Sequence, residues 1–505
     1  MQDREVLIVG AGPTGLVLAL WLTKLGVTVR VLDKATGPGT TSRALAVQAR
    51  TLELYRQLDL TDALLTEGHR VPAANFWVEG SRRAHIELGA LGEGLTPYPY
   101  VFIYPQDKHE RLLIERLEAV GVTVERQTEL TEFTDHGDHI SARFRRADGS
   151  EESCQARYIV GCDGARSVVR HAIGAEFPGG TYRQMFYVAD IEGSGPMFNG
   201  ELHIDLDEAD FVVLFPLDMG RCARLIGVVK DDRDDDSLPL RFEDISDKAI
   251  RNLNLQIDKV NWFSTYRVHH RVADKFRQGS AFLAGDAGHI HSPAGGQGMN
   301  TGIGDAINLA WKLAAVLKGK ADDSLLDTYE AERIAFARKL VETTDQVFTF
   351  VTAEGRVADI VRTRIAPLVF PLATRIHAAR EFLFRTVSQT MITYQGSTLS
   401  EGKAGDIHGG DRLPWVPVNG IDNFDSLAEP TWQVHVYGTA SLELTQWCTT
   451  HSLPLHQFAW SSEYEAAGLA HNAAYLLRPD TYIALADPTG SPTALERYRT
   501  DHHLQ

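Results

Sequence analysis

The stretch Val6-Leu-Ile-Val-Gly-Ala-Gly-Pro-Thr-Gly-Leu-Val-Leu-Ala-Leu20 decides the fold. Glu5 to Val9 is a β-branched and leucine run, the composition of a buried parallel strand. A Gly-rich turn follows, then a helix through about Leu25 that ends at Gly26. Val27 to Asp33 supplies a second strand, which completes a βαβ unit. Each glycine of the turn has its own task. Gly10 permits the tight bend, Gly12 lets the backbone approach a pyrophosphate, and Gly15 lets helix and strand pack closely. The helix N-terminus then faces the phosphate charge. Asp33 ends the second strand, where an acid can hydrogen-bond an adenosine ribose. The same acid repels a 2′-phosphate, so this first site is not expected to hold NADP.

Two later segments repeat the theme. Tyr158-Ile-Val-Gly-Cys-Asp-Gly-Ala-Arg-Ser-Val-Val-Arg170 ends a strand at Asp163-Gly164. The carboxylate there either touches a pyrophosphate-bound nicotinamide cofactor or caps a short helix, with Arg166 and Arg170 at the surface. Phe282-Leu-Ala-Gly-Asp-Ala-Gly-His289 ends another strand at Gly285-Asp286. Asp286 there can accept hydrogen bonds from polyol hydroxyls. The segment runs into Pro293-Ala-Gly-Gly-Gln-Gly-Met-Asn300, a flexible loop before a helix. Such a helix end favours negative charge developing on a flavin-type ring. Three such elements point to one large dinucleotide gripped at both ends.

Composition narrows the partners. The chain has 505 residues, so two or three domains are expected. Its formal charge is -17, which argues against nucleic acid or an anionic membrane, since both require a basic face. Cys154, Cys162, Cys222 and Cys448 form no C-x-x-C pair, so neither a redox dithiol nor a zinc knuckle is readable. A reducing cytosol is the natural setting. The N-terminus lacks the regions of a signal peptide. The apolar stretch Leu368–Phe384 is broken by Pro371, Arg375, His377, Arg380 and Glu381, too often to span a bilayer. His289 and His291 lack a third ligand at an informative spacing, so no metal is expected. There is no Gly-x-Ser-x-Gly elbow and no Walker lysine loop.

Further along, Thr51 to Asp59 and Lys108 to Ala119 read as helices, and Val122 to Arg126 as a strand. Between about Gly174 and Arg267 the pattern alternates like strands, as in Phe211-Val-Val-Leu-Phe-Pro216. A helix runs from near Met299 to Lys318, and a helical region from about Leu325 to Thr393. The glycines of Glu401–Asp406 and His408–Asp411 mark a linker before a small separate domain.

Together the three motifs resemble those of class A FAD-dependent aromatic monooxygenases, the para-hydroxybenzoate hydroxylase-like family. The resemblance spans about Glu5 to Arg333. Its most specific part is Gly-Asp-Ala-Gly-His, then Pro-x-Gly-Gly-Gln-Gly-Met-Asn-Thr-Gly, then Asp305-Ala-x-Asn-Leu-Ala-Trp-Lys-Leu313. The branch that hydroxylates polyketides, rifamycins and phenols is the most similar. The implied fold is α/β: a Rossmann-like FAD-binding domain with an inserted antiparallel-sheet substrate domain, plus a C-terminal thioredoxin-like domain. The implied boundaries are residues 1–173 and 268–345 for FAD, 174–267 for substrate, 346–400 for a helical linker region and 401–505 for the last domain. In Ser42-Arg43-Ala-Leu-Ala-Val-Gln48-Ala-Arg-Thr-Leu-Glu53, Arg43 matches a residue at the FAD pyrophosphate. Gln106 matches a flavin-contacting glutamine, and Leu130 a backbone contact to adenine. Asp286 matches the carboxylate on the ribityl chain, and Asp163 an Asp-Gly element tied to FAD and NAD(P)H use. The implied cofactor set is Gly10, Gly12, Pro13, Thr14, Gly15, Asp33, Lys34, Arg43, Gln106, Leu130, Asp163, Asp286, Pro293, Gly295, Gly296, Gln297, Gly298, Met299 and Asn300.

The resemblance also implies a reaction. NADH or NADPH reduces FAD, O2 adds as a C4a-hydroperoxide, and one oxygen atom passes to an aromatic ring. The cofactor carries this chemistry, which explains the lack of a catalytic triad. Phe211, Val213 and Phe215 share one strand face and either line an apolar substrate pocket or form plain core. Tyr104, His203 and Arg224 are candidate polar contacts. Family members often form homodimers, although no interface signature is visible. Tyr475-Leu-Leu-Arg-Pro-Asp-Thr-Tyr-Ile-Ala484 resembles the closing strand pair of the C-terminal domain, with Thr481 where the family often has Gly. A halogenase would need a Trp-x-Trp-x-Ile-Pro segment, and a disulfide reductase a cysteine pair. Both are missing. Epoxidation, Baeyer–Villiger or N-hydroxylation of an antibiotic stays open, as does a flavin protein that sequesters a ligand without turnover.

Overall fold

The computed structural model describes residues 4–39, 44–206, 211–229, 240–245, 248–292, 294–352, 363–364 and 376–504. Part of the apolar stretch Leu368–Phe384 lies outside them. No described helix is long and apolar enough to cross a membrane.

Val6, Leu7 and Ile8 are fully buried, so the strand Arg4–Val9 sits mid-sheet. It pairs in parallel with Val29–Leu32 on one side and Glu151–Gly161 on the other. Ala281–Leu283 extends the parallel set beyond Glu151–Gly161. An antiparallel meander, Thr128–Asp135 and Ile140–Arg146, hangs from the first half of Glu151–Gly161. The first helix, Pro13–Lys24, packs on the helix Gly298–Leu317. Both are apolar nearly all round, as elements covered on both faces must be. The strand expected over Val122–Arg126 is only Val124–Glu125. The helix expected over Thr51–Asp59 is Ala49–Tyr55 followed by a 3-10 turn, because Asp59 turns left-handed at φ 55°.

The second sheet is antiparallel at all but one pairing. Its order is His289–Ile290, Gln256–Val272, Gly179–Ser194, Cys222–Val229, Val212–Pro216, Leu202–Asp205, Ala73–Val78, Ser81–Glu87. The last two strands come from outside residues 174–267. Residues 73–87 precede the inserted segment, yet pair onto it through the parallel contact of Leu202–Asp205 with Ala73–Val78. One face of this sheet is sealed by its own core, with Tyr187, Leu214 and Leu225 beneath Ile245, Leu253 and Leu255. The other face carries Phe76, Leu202 and Phe215, which pack against the core of the nucleotide-binding body.

A third sheet has the order Ile407–His408, Glu401–Ala404, Ile483–Asp487, Ala474–Leu477, Gln433–Tyr437, Leu455–Phe458. The expected linker is therefore part of this sheet. Gly402 is not a flexible joint; a β-carbon there would lie 2.4 Å from Ala486 O, so glycine permits the close strand contact. The sheet is fixed to the rest by buried charge. Arg478 binds Glu332 at 2.7 Å and Asp480 at 2.6 Å, and Lys312 binds Glu332 at 2.8 Å. Burial pushes the Lys312 ammonium down to about 8, against the pull of Glu332. Burial alone would raise Glu332; Arg478 and Lys312 hold its carboxyl below the usual range. Such a network fixes one arrangement, and removing one partner costs about 3–5 kcal/mol. The turn after Arg478 places Thr481 at φ 67°. For a β-branched residue that conformation costs about 1–2 kcal/mol.

Candidate cofactor and substrate site

The Gly10–Gly15 turn is shaped by missing side chains. Gly10 has φ 104°, and a β-carbon there would lie 2.2 Å from Cys162 O. A β-carbon on Gly15 would lie 2.0 Å from Gly10 O. One on Gly12 meets nothing within 4 Å, so the space before the helix end is open. Pro13 occupies the first helical position, and Gly12 offers no capping side chain. The amide donors at this helix start are therefore available to a phosphate. Asp33 supports the turn: Oδ2 accepts from the Ala11 amide at 2.7 Å, and Oδ1 from Ala35 at 2.7 Å. Lys34 beside it is exposed. The Asp33 carbonyl accepts from Thr128, which starts the strand that carries buried Leu130. These features fit an ADP half.

The second and third motifs converge on this turn. The Cys162 carbonyl is the wall behind Gly10, and Thr14 Oγ1 lies 2.6 Å from a β-carbon built on Gly285. Asp286 is exposed next to that contact. Asp163 Oδ2 accepts from Val168 at 2.7 Å, a capping contact, while its buried Oδ1 has no partner. Arg170 is not a surface residue. It is buried and donates to Ala287 O at 2.8 Å and to Ala165 O at 2.7 Å, tying the two motifs together. Gln106 starts the helix Gln106–Ala119, and its amide donates to Glu110 Oε1 at 2.8 Å. Burial raises the Glu110 carboxyl, opposed by its bonds to Gln106 and to Gly39.

The loop at Gly295–Asn300 is held from outside. Gln48 Nε2 donates to Gly295 O at 2.9 Å, and the Gln48 amide to Asn300 Oδ1 at 2.9 Å. Thr51 donates to the same Asn300 oxygen at 2.8 Å, and Asn300 Nδ2 donates to Ala46 O and Gly296 O. Gln297 Nε2 donates to Val387 O, and Gln389 donates to Gln297 Oε1 at 2.6 Å. Gly298 and Met299 open the helix, which has no side-chain cap. The positive end of that helix faces the loop, where a reduced flavin ring would gain from it. Arg43 and Pro293, both expected at the cofactor, lie outside the described residues.

The inserted sheet divides the substrate candidates. Phe215 pairs with Arg224, and Val213 with Ile226, so all four share the face turned to the nucleotide-binding body. Phe211 lies two residues before Val213 on that alternation and is half-buried. Arg224 is buried, and Asp190 grips it in a fork at 2.6 and 2.7 Å. Its Nη1 has no hydrogen-bond partner. His203 does not join this set. It pairs with Leu214 on the opposite face, accepts from Trp77 Nε1 at 3.2 Å and lies 3.0 Å from Asn199 Oδ1. Burial pulls its imidazole down to about 4. Tyr104 is also engaged elsewhere, its hydroxyl donating to Glu67 at 2.9 Å.

Three residues quoted in the motifs but given no role prove central. Gln48 and Thr51 pin the loop, as above. Asp305 accepts from the Gly285 amide at 2.9 Å and binds His289 at 2.6 Å and Arg333 at 2.6 Å. Burial opposes its charge, yet Arg333 and His289 hold the carboxyl below the usual range. The acid thus fixes the Gly285-Asp286 turn from inside. His291 is half-buried; burial lowers its imidazole to about 4, and Nε2 has no partner. Among the described residues no cluster of three His, Cys, Asp or Glu side chains is arranged to hold a metal ion. Burial pushes the Cys162 thiol well up, which suits a wall rather than a nucleophile.

Known proteins resemble this chain. The profile of the FAD binding domain family matches residues 3–344. A 6-methylpretetramide 4-monooxygenase of Streptomyces rimosus is 38% identical over 393 residues, 77% of this chain and 68% of its own length. A flavin-dependent monooxygenase of Mycobacteroides abscessus is 32% identical over 507 residues, 97% of this chain and 98% of its own. The solved structure of OxyS, an anhydrotetracycline hydroxylase from Streptomyces rimosus, superposes with a TM-score of 0.78 at 26% identity, covering 99% of this chain and 98% of that one. With these matches the chain belongs to the family of FAD-dependent aromatic monooxygenases.

Proposed function

We propose that the chain consumes NADH or NADPH and O2 to hydroxylate a phenolic or polyketide-type aromatic molecule. The observation that carries this reading is the apolar face of the inserted sheet, Phe76, Leu202 and Phe215, which packs against the same large core as Met299 of the Gly295–Asn300 loop. A flat apolar substrate held along that face would be offered to the ring. Relatives named for 6-methylpretetramide and anhydrotetracycline support the polyketide class. Bound FAD supplies the electron store and the oxygen chemistry that no side chain here offers.

The chain's own residues then bind, orient and exclude water. Asp190 fixes the Arg224 guanidinium, which turns the unpaired Nη1 into a donor for a substrate oxygen. A cation at that oxygen favours phenolate, the more electron-rich form. Asp286 and the Gly12 turn would hold the ribityl and phosphate parts. We assign residues 1–173 and 268–345 to FAD, with Ala73–Glu87 given over to the substrate sheet. The last unit runs strand, helix, strand, helix, two strands, helix from Gln433 to Asp501, which supports a thioredoxin-like reading. The four cysteines are free thiols, in keeping with the cytosol.

The test is NADH and NADPH oxidation by FAD-loaded protein with a panel of phenols, naphthoquinones, polyketides and rifamycins. The expected result is stimulated oxidation and a product heavier by one oxygen atom. Arg224→Met should raise KM about tenfold or more with a smaller change in kcat. Flavin without stimulation by any compound would favour ligand sequestration, and failure to bind FAD would overturn the reading.

A further inference from the structure

The turn Arg478–Thr481 belongs to the C-terminal sheet, yet it touches both elements that shape the flavin loop. On one side, Asp480 Oδ2 accepts from Trp311 Nε1 at 3.1 Å, on the helix that begins at Gly298. On the other, Arg50 Nη2 donates to Asp480 O at 2.9 Å and to Thr481 Oγ1 at 2.7 Å. Pro479 O accepts from Gln57 at 2.8 Å. Arg50 lies between Gln48 and Thr51, the two residues that hold Gly295 and Asn300. More contacts grip the same short helix. Arg412 forks onto Glu53, and Arg56 binds Asp422 at 2.9 Å. Burial alone would raise the Glu53 carboxyl; Arg412 and Arg50 hold it below the usual range.

Thr481 is the telling residue. It is buried at φ 67°, a conformation that glycine adopts without strain. Glycine would relax the turn but remove the hydroxyl that Arg50 uses. A strained residue persists when its surroundings over-determine it, and such residues cluster at functional sites. We infer that Thr481 is a positioning residue: through Arg50 it sets the Gln48–Thr51 segment, and through that the Gly295–Asn300 loop. The C-terminal sheet thereby becomes part of the flavin site without touching it. The inference rests on Gly295–Asn300 being the flavin loop.

Three variants test it: Thr481→Ser keeps the hydroxyl, Thr481→Val keeps the branch, and Thr481→Gly keeps neither but removes the strain. The first readout is hydrogen exchange of the cofactor-free protein at the Gln48 amide, which donates to Asn300. Exchange should speed up at least fivefold in Thr481→Val and Thr481→Gly, and stay near the original rate in Thr481→Ser. The Tm of Thr481→Gly should not fall, which separates local loosening from general destabilisation. In FAD-loaded protein, Val and Gly should shift the visible circular dichroism of the flavin, and Ser should not. Unchanged exchange at Gln48 in Val and Gly would overturn the positioning role. Faster exchange with an unshifted flavin signal would sustain the coupling and sink the assignment of the loop to flavin.

Discussion

The turn at Gly10–Gly15 and the loop at Gly295–Asn300 are both glycine-rich, and both precede a helix without a side-chain cap. They are built by opposite means. The first is made by absence: its glycines let backbone meet backbone, at Gly10 against Cys162 O, and the Asp33 carboxylate that accepts from Ala11 lies within the same βαβ unit. The second is made by presence: Gln48, Thr51 and Gln389 hold it together with its own Asn300, and Gln48 reaches Asn300 across 252 residues of sequence. The Gly10–Gly15 turn draws its shape from close backbone contacts, whereas the Gly295–Asn300 loop draws it from side chains spread through the fold.

The contrast can be broken at its first term by Gly15→Val. With a β-carbon 2.0 Å from Gly10 O, strand and helix must separate. The expected cost is about 3 kcal/mol or more, with loss of folded yield and of FAD. Thermal unfolding and flavin absorbance would check it; a stable, yellow variant would refute the close-packing account. The second term is probed by Asn300→Ala, which strands the Gln48 amide and the Thr51 hydroxyl. We expect a loss of about 1–3 kcal/mol. FAD should stay bound by its phosphate end, with brighter flavin emission. Unaltered emission and stability would mean that the loop does not depend on side chains.

A third effect is expected from acid. His291 faces Gly298 and has its folded pKa lowered to about 4 by burial, from 6.5. Its contribution is complete above 6.5 and is lost as pH falls toward 4, because the opened form takes up the proton first. Local opening there should become easier by roughly 1.4 kcal/mol per pH unit below 6.5. Hydrogen exchange between pH 7 and 5, corrected for intrinsic rates, should show 294–300 loosening before 10–15. Equal behaviour of both segments would erase the distinction.

The same difference governs what the sequence discloses. Gly10, Gly12, Gly15 and Asp33 act within 24 residues of chain, so their spacing alone announces them. The alternation of Val213 and Phe215 is also local, and the two do share a face. His203 is not placed by any local pattern. Its face depends on pairing with Leu214 rather than Phe215, a register set across two strands. Ala73–Glu87 joins the second sheet through one parallel contact made 128 residues away, which no window of sequence contains. Asp305 stands within a legible motif, yet its task appears only once Gly285, His289 and Arg333 surround it.

The strand order has a consequence for synthesis. Arg4–Val9 leaves the ribosome with one edge that stays unpaired until residues 156–161 follow. The outer side of the first helix waits longer, for Gly298–Leu317. Until Gly298–Leu317 has been made, the nascent chain therefore carries a half-covered, apolar body, the kind of surface that chaperones engage. Thr481 lies beyond all of these segments in the chain, so its contact with Arg50 can form only after each of them has been made.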